Sequence, residues 1–430
     1  MDSMLGTTGI RISQLRNTVT RVLQQIHTRD PRLGVLNNIP FVIPFEQRVE
    51  IFRMFVQNDR RRNALDSFHF IRPAAEVTIR RDHVFEDGFD ELYKLGPDLK
   101  KKISIGFVDE FGLQEAGIDG GGVFKEFLTS LGREAFDTNY GLFRATPDQL
   151  LYPNPSEYAT GSSQLAYFEF LGLIIGKAVY EGILLDVAFA EFFLKKCLGG
   201  MNYLDDLPSL DPELYNGLIA VKNFQGNVED LSLDFSITDN EYGKARTIDL
   251  IYNGSNIPVT NANRIRYVYH VANYRLNIQI AKQSRAFFRG LSTIVDIKWL
   301  RMFNQAELQV LLGGASVPID LEDLRAHTVY SGFTENDDNV RNLWKALYSF
   351  DNEQRMKFVK FVTSCSRPPL LGFKELRPQL CIRLAGADDG RLPTSSTCIN
   401  LLKLPQFSSY SILREKLSYA INAEAGFDLS

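Results

Sequence analysis

Cysteine and histidine are scarce in this chain, numbering four and five among 430 residues. The cysteines, at 197, 365, 381 and 398, form no CxxC pair, which argues against both a disulfide framework and a zinc site. The histidines, at 27, 69, 83, 270 and 327, show no HExxH or similar ligand spacing, so neither a metal nor a cofactor is expected. Charge of one sign is not in excess either. With 48 basic against 52 acidic residues, and no long basic run, the chain has no electrostatic footprint for nucleic acid. Long apolar runs are missing too. The stretch LGLIIGKAVYEGILL (171–185) contains Lys177 and Glu181 and falls short of the roughly 18–20 unbroken apolar residues of a membrane span. Residues 1–30 lack the apolar core of a signal peptide. No membrane partner is expected, and a cytosolic or nuclear location follows.

What is present is a chain too long for one hydrophobic core, so two or three lobes are expected. Ile12, Leu15, Val19, Val22, Leu23 and Ile26 follow a helical period over 10–26, and NNIPFVIPF (37–45) reads as an extended connector. A helix through FEQRVEIFRMFVQ, a loop and a strand at EVTIRR come next. EAGIDGGGVFKEFLTSL (115–131) starts as a glycine-rich turn and becomes a helix. It lacks the GxxxxGK[ST] spacing, and Asp119 would repel phosphate, so a tight turn is the better reading. Residues 164–200 read as two long apolar helices meeting near Gly182. Asp211-Pro212-Glu213 marks a helix start, followed by strands at 231–237 and 246–252 and a long helix over 262–289. Another helix crosses NQAELQVLL. The polar, acidic HTVYSGFTENDDN (327–339) is the best boundary in the chain. After it, helices at 340–349 and 352–364, strands near LCIRL and TCINLL and a last helix form a compact α+β unit that contains Cys398.

An arbitrary free cysteine is more often core filler than nucleophile, and Cys197, Cys365 and Cys381 all fit that role. Cys398 is set differently, between the hydroxyl-rich loop LPTSST and the apolar run INLLKLP. A cysteine protease would recruit a histidine as base and acid, yet no histidine falls in the unit that holds Cys398. Thioester exchange demands less. The acyl group arrives activated, and the leaving thiolate resembles the attacker. The missing histidine therefore favours transthiolation over peptide hydrolysis.

The segment LPTSSTCINLLKLP resembles the active-site segment of HECT-type ubiquitin ligases, and FVTSCSRPPLLGF resembles the segment before it. AGIDGGGVFKEF, IGKAVYEGILLD and IPVTNANR resemble landmarks of that family's larger lobe, and GFDLS resembles its C-terminal tail. The resemblance covers about residues 40–430. Within the family, FVTSCSRPPLLGFKEL and LPTSSTC look most like the proteasome-associated, chain-extending subgroup.

The resemblance implies a bilobal α+β fold. Residues 1–40 would brace a large, mainly helical N-lobe (41–329) with a conjugating-enzyme-docking subdomain at about 183–245. Tyr330, Ser331, Gly332 and Phe333 would form a flexible hinge, and 334–430 a compact C-lobe. Ubiquitin would pass from a conjugating enzyme to Cys398 as a thioester and then to a lysine of a protein substrate or a growing chain. Leu198 and Phe235 would anchor the conjugating enzyme, and Tyr167 and Phe168 would contact a second ubiquitin. Many family members have histidine two residues before the cysteine; here Ser396 stands there, leaving Thr397 and the backbone to position the thioester. Asp428 and the carboxylate of Ser430, placed by Phe427, are candidate proton acceptors for the attacking lysine. Implied partners are ubiquitin, a conjugating enzyme, protein substrates and the proteasome. The alternative is an inert HECT-like module that docks a conjugating enzyme or ubiquitin without chemistry.

Overall fold

A computed structural model describes residues 39–63, 75–109, 113, 122–241 and 244–423. The expected helix over 10–26 and the tail residues Phe427, Asp428 and Ser430 lie outside these. In the first part of the chain, α1 (Phe45–Arg62) precedes a parallel pair, β1 (Ala75–Arg80) and β2 (Ile103–Val108), with α2 (Val84–Leu92) between them. Next come α3 (Gly122–Ala135), the short pair β3 (Phe143–Ala145) and β4 (Leu151–Pro153), and α4 (Ser162–Glu181). They share one core, through which α4 runs buried from Phe170 to Tyr180. The charges inside its apolar run are paired. The Lys177 ammonium, enclosed in the core, donates to Glu181 Oε1 at 2.6 Å and to the carbonyls of Lys100 and Lys101, and Arg60 also pairs with Glu181.

Two long helices were expected to meet near Gly182, which does end α4 in the left-handed region at φ 74°. The second helix, α5 (Glu191–Cys197), is only seven residues long. The intervening chain is extended because its backbone groups bond elsewhere: Leu185 N–H donates to the Leu312 carbonyl and Ala190 N–H to that of Leu151. Two further features bring α4 against α8 (Ala281–Ile294). A Cβ on Gly172 would lie 1.9 Å from the Phe287 carbonyl oxygen, and one on Gly290 would lie 1.8 Å from that of Glu169. Only glycines allow these backbones to approach so closely.

A separate core gathers buried residues from Ala190 to Ile280, so the small unit reaches well past the expected 183–245. It contains α6 (Pro212–Asn223), the hairpin β5 (Ser236–Glu241) and β6 (Lys244–Asp249), and α7 (Arg264–Asn273). Asp211 caps α6 through the Leu214 N–H at 2.9 Å. The strands begin and end elsewhere than expected, because Val228–Leu231 coils into a 3-10 turn capped by Asn227. Nor is the helix expected over 262–289 continuous. A π-helical turn, Tyr274–Ile278, follows α7 where the chain leaves this core and enters the first through α8.

Helix α9 (Gln305–Gly313) starts with a reciprocal cap between Asn304 and Glu307. The last core then begins at Ile319 in front of α10 (Leu321–Ala326) and β7 (Thr328–Ser331). Helices α11 (Asp338–Ser349) and α12 (Asn352–Thr363), strands β8 (Leu380–Ala387), β9 (Thr394–Ser396) and β10 (Leu401–Gln406), and α13 (Tyr410–Asn422) complete it. The sheet order is β7-β8-β10-β9, parallel except for the β9–β10 pair. The expected hinge therefore needs correcting. Tyr330 and Ser331 lie in β7, paired with Ile382 and Arg383, and the Tyr330 hydroxyl accepts from Trp344 Nε1 at 3.0 Å. Phe333 packs on the same core. The polar composition of 327–339 reflects a solvated loop after a strand; packing changes hands earlier, between Leu312 of the first core and Ile319 of the last. The whole is an α+β fold.

Candidate active site

Strands β9 and β10 pair antiparallel, with Leu401 opposite Ser396 and Leu402 opposite Ser395. The tight turn between them, Thr397–Ile399, is one turn of 3-10 helix with Cys398 at its centre. Asn400 closes it in the left-handed region at φ 50°, which asparagine tolerates better than most residues. All of its polar functions are used. Its N–H donates to the Thr397 carbonyl at 3.3 Å, its carbonyl accepts from Cys381 N–H at 2.9 Å, and its side-chain amide donates to Pro378 O at 2.6 Å. Its side-chain oxygen accepts from Lys125 Nζ at 2.6 Å, and the same ammonium donates to the Thr397 carbonyl at 3.1 Å.

Lys125 and Glu126 come from α3, on the first core, so the site forms where two cores meet. A cleft of about 630 Å³ opens beside the turn, lined by residues that include Arg53, Lys125, Tyr180, Cys365, Arg377 and Asn400. Burial lowers Lys125 to about 8, against smaller opposing effects of Cys365 and Cys398. Cys398 is partly exposed. Burial, and then Glu126, raise its thiol, while the Ile399 N–H and Lys125 pull it down. Cys197 and Cys365 behave as core: both are buried, and burial pushes Cys365 up to about 11, whereas Cys381 is half-buried in β8. Among the described residues no histidine lines this cleft. A thiol with a cation, a carboxylate and a rigid turn around it, and no imidazole, is suited to exchange with an acyl group that arrives already activated.

A family model described as "HECT-domain (ubiquitin-transferase)" matches residues 129–430. The chain belongs to the HECT family. It is 50% identical over 403 residues to "Probable E3 ubiquitin protein ligase C167.07c" of Schizosaccharomyces pombe, covering 93% of this chain and 39% of that protein. It is 44% identical over 416 residues to "E3 ubiquitin-protein ligase HUL5" of Saccharomyces cerevisiae, covering 93% of this chain and 45% of the relative. With human "Ubiquitin-protein ligase E3B" it shares 43% identity over 430 residues, covering 92% of this chain and 40% of the relative. The chain thus spans about two fifths of the length of these curated relatives.

Other residues expected to act in a HECT ligase are less well placed. Phe235 is fully buried, edge-on to Tyr267, so it cannot touch a partner as it stands. Leu198 caps α5 and is packed partly against the first core. Exposed apolar side chains around the small unit's core include instead Met201, Tyr203, Leu231, Tyr252, Ile265 and Tyr269. Phe168 is fully buried, whereas Tyr167 is partly buried edge-on to Phe85 and Phe89. Apolar type marked these positions; which way each side chain faces depends on distant neighbours. The expectation overlooked Lys125, Glu126 and Asn400, although AGIDGGGVFKEF and STCIN contain all three.

Proposed function

We propose that this chain is the catalytic part of a ubiquitin-protein ligase that holds ubiquitin as a thioester on Cys398. The observation that supports this most is the setting of Cys398: partly exposed, at the tip of a hairpin whose turn is fixed by Asn400, in a chain of the HECT family. The Cys398 thiolate attacks the ubiquitin C-terminal carbonyl carbon held as a thioester on a conjugating enzyme. A new C–S bond forms, the old one breaks, and the enzyme's thiolate departs. A neutral acceptor lysine amine then attacks the same carbon, forming the isopeptide and releasing the Cys398 thiolate. The ammonium's proton must first pass to a base. Glu126, a carboxylate close enough to raise the Cys398 thiol, is a third candidate for that base beside Asp428 and the carboxylate of Ser430.

Under this reading the small unit docks the conjugating enzyme through its exposed apolar residues, and Thr397 helps orient the thioester. The connector between Gly313 and Ile319 lets the unit bearing Cys398 meet donor and acceptor in turn. Partners are ubiquitin, a conjugating enzyme and protein substrates. A chain-extending role with the proteasome, in cytoplasm or nucleus, rests on the resemblance of FVTSCSRPPLLGFKEL and LPTSSTC. The test mixes the protein with ubiquitin, activating enzyme, a panel of conjugating enzymes and ATP, followed by a non-reducing gel. A ubiquitin adduct removed by thiol reductant and abolished by Cys398→Ala is expected. Binding of a conjugating enzyme with no adduct would favour the inert docking module.

A further inference from the structure

Among the described residues, the Lys125 ammonium holds the Cys398 turn across the boundary between two cores. Lys125 Nζ reaches from α3 to the carbonyl of Thr397 on one side of Cys398 and the side chain of Asn400 on the other. The Thr397 carbonyl also accepts from Asn400 N–H, so the cation closes a ring of hydrogen bonds around the three-residue turn. Among the described residues no carboxylate lies within ion-pair distance of Lys125, so its partners are the two neutral acceptors of the turn. Asn400 is in turn braced by Pro378 and Cys381, carrying the restraint into β8.

We propose that Lys125 is a positioning residue that fixes the Cys398 turn for transfer of the acyl group to the acceptor lysine. This rests on the thioester reading above. The two bonds exist only while α3 and the turn are in contact. In that arrangement Cys398 is partly covered, which hinders entry of a conjugating enzyme's thioester. It also places Glu126 beside the thiol, where an incoming lysine's ammonium is attracted and can give up its proton. Lys125 therefore serves the discharge step more than the loading step. It works through Thr397 and Asn400 and does not touch the reacting carbon.

Single-turnover kinetics separate the steps. Cys398 is loaded from a conjugating enzyme already charged with ubiquitin, loading is quenched, and the thioester is chased with excess ubiquitin as acceptor. Lys125→Ala is expected to slow discharge at least tenfold and loading by less than threefold. Lys125→Arg, which keeps a cationic donor, should recover discharge to within threefold of the unaltered chain. Asn400→Gly keeps the left-handed turn but removes the acceptor. It should slow discharge similarly, and the Lys125→Ala/Asn400→Gly double variant should be little worse than either single one. Equal slowing of both steps, unchanged discharge, or no recovery with arginine would overturn the positioning role. Failure of the unaltered chain to form any thioester would instead overturn the underlying reading, and this role with it.

Discussion

Replacing Gly172 by alanine sets two effects of opposite sign against each other. Alanine in a helix interior is favoured over glycine by about 1 kcal/mol, so propensity alone makes the variant more stable. The facing backbone opposes this. The new Cβ would sit 1.9 Å from the Phe287 carbonyl oxygen and 2.8 Å from the Leu291 nitrogen, where ordinary contact begins near 3.4 Å. Helices α4 and α8 would have to separate by about 1.5 Å, because helix backbone cannot swing aside as a side chain can. Overpacking costs roughly 1–3 kcal/mol where side chains can adjust, and more where they cannot. We take a gross cost of about 3–4 kcal/mol and a net loss of about 2–3 kcal/mol. Segment-resolved hydrogen exchange should then show α4 and α8 amides exchanging about 30- to 150-fold faster. Gly217 is the control. It lies in α6 with nothing within 4 Å of its would-be Cβ, so Gly217→Ala should slow exchange there about fivefold. Equal or slower exchange in Gly172→Ala would show that the approach of α4 and α8 is not as close as described.

Other outcomes follow from the same structure. Glu126→Gln removes one of the influences that raise the Cys398 thiol, though burial remains, so iodoacetamide should alkylate Cys398 faster near neutral pH. No change or a slower rate would dissociate Glu126 from the thiol. Lys125, lowered to about 8 by burial, sheds its proton in the folded chain before it would in the unfolded one, where lysine titrates near ~10.4. The unfolded state then binds more protons between these values, so stability should rise with pH from about 8 to ~10.4. Lys125→Met should flatten that rise in urea titrations, and an unaltered slope would count against burial as the cause. Phe235→Ala should cost the small unit roughly 3–5 kcal/mol, whereas Tyr252→Ala, at a side chain 98% exposed, should leave its hydrogen exchange unchanged while weakening capture of a conjugating enzyme. The reverse pattern would return Phe235 to the surface.

The parts of this fold legible in the sequence were those set by neighbours along the chain. Asp211 before Pro212 marks a helix start and Gly182 at the end of an apolar run marks a helix end, both by local chemistry, and α6 starts and α4 stops there. Cys398 stood out for the same reason, a polar loop giving way to an apolar strand. What escaped depends on residues far away. The stretch from Ile183 to Ala190 gives up a helix because Leu312 and Leu151 take its hydrogen bonds, and TVYS becomes a strand because β8 lies alongside it. Phe168 was expected at a ubiquitin contact and Phe235 as a conjugating-enzyme anchor, yet both are buried, because an aromatic residue has the same pattern whether it faces solvent or a second core. Lys125 was hidden in the helix after the glycines because its partners, Thr397 and Asn400, lie more than 270 residues on.

The contacts between the first and last cores bear on how one thiol can serve two partners. Each core is held by extensive apolar burial, and among the described residues several of the links between them are polar. Lys360 pairs with Asp186 at 2.9 Å with both side chains substantially exposed, which contributes about 0–1 kcal/mol. Ser366 donates to Asp186, and Ala315 N–H to the Pro368 carbonyl. Leu370 and Leu371 add apolar contact with the first core, and Lys125 brings an ammonium whose burial works against its charge. Under the proposed function, this interface parts and re-forms while each core stays folded. Under the thioester reading that asymmetry is what the chemistry requires. The Cys398 turn must be released to meet a conjugating enzyme and held again to meet a lysine, and a cation with two neutral acceptors can hold the turn without locking it.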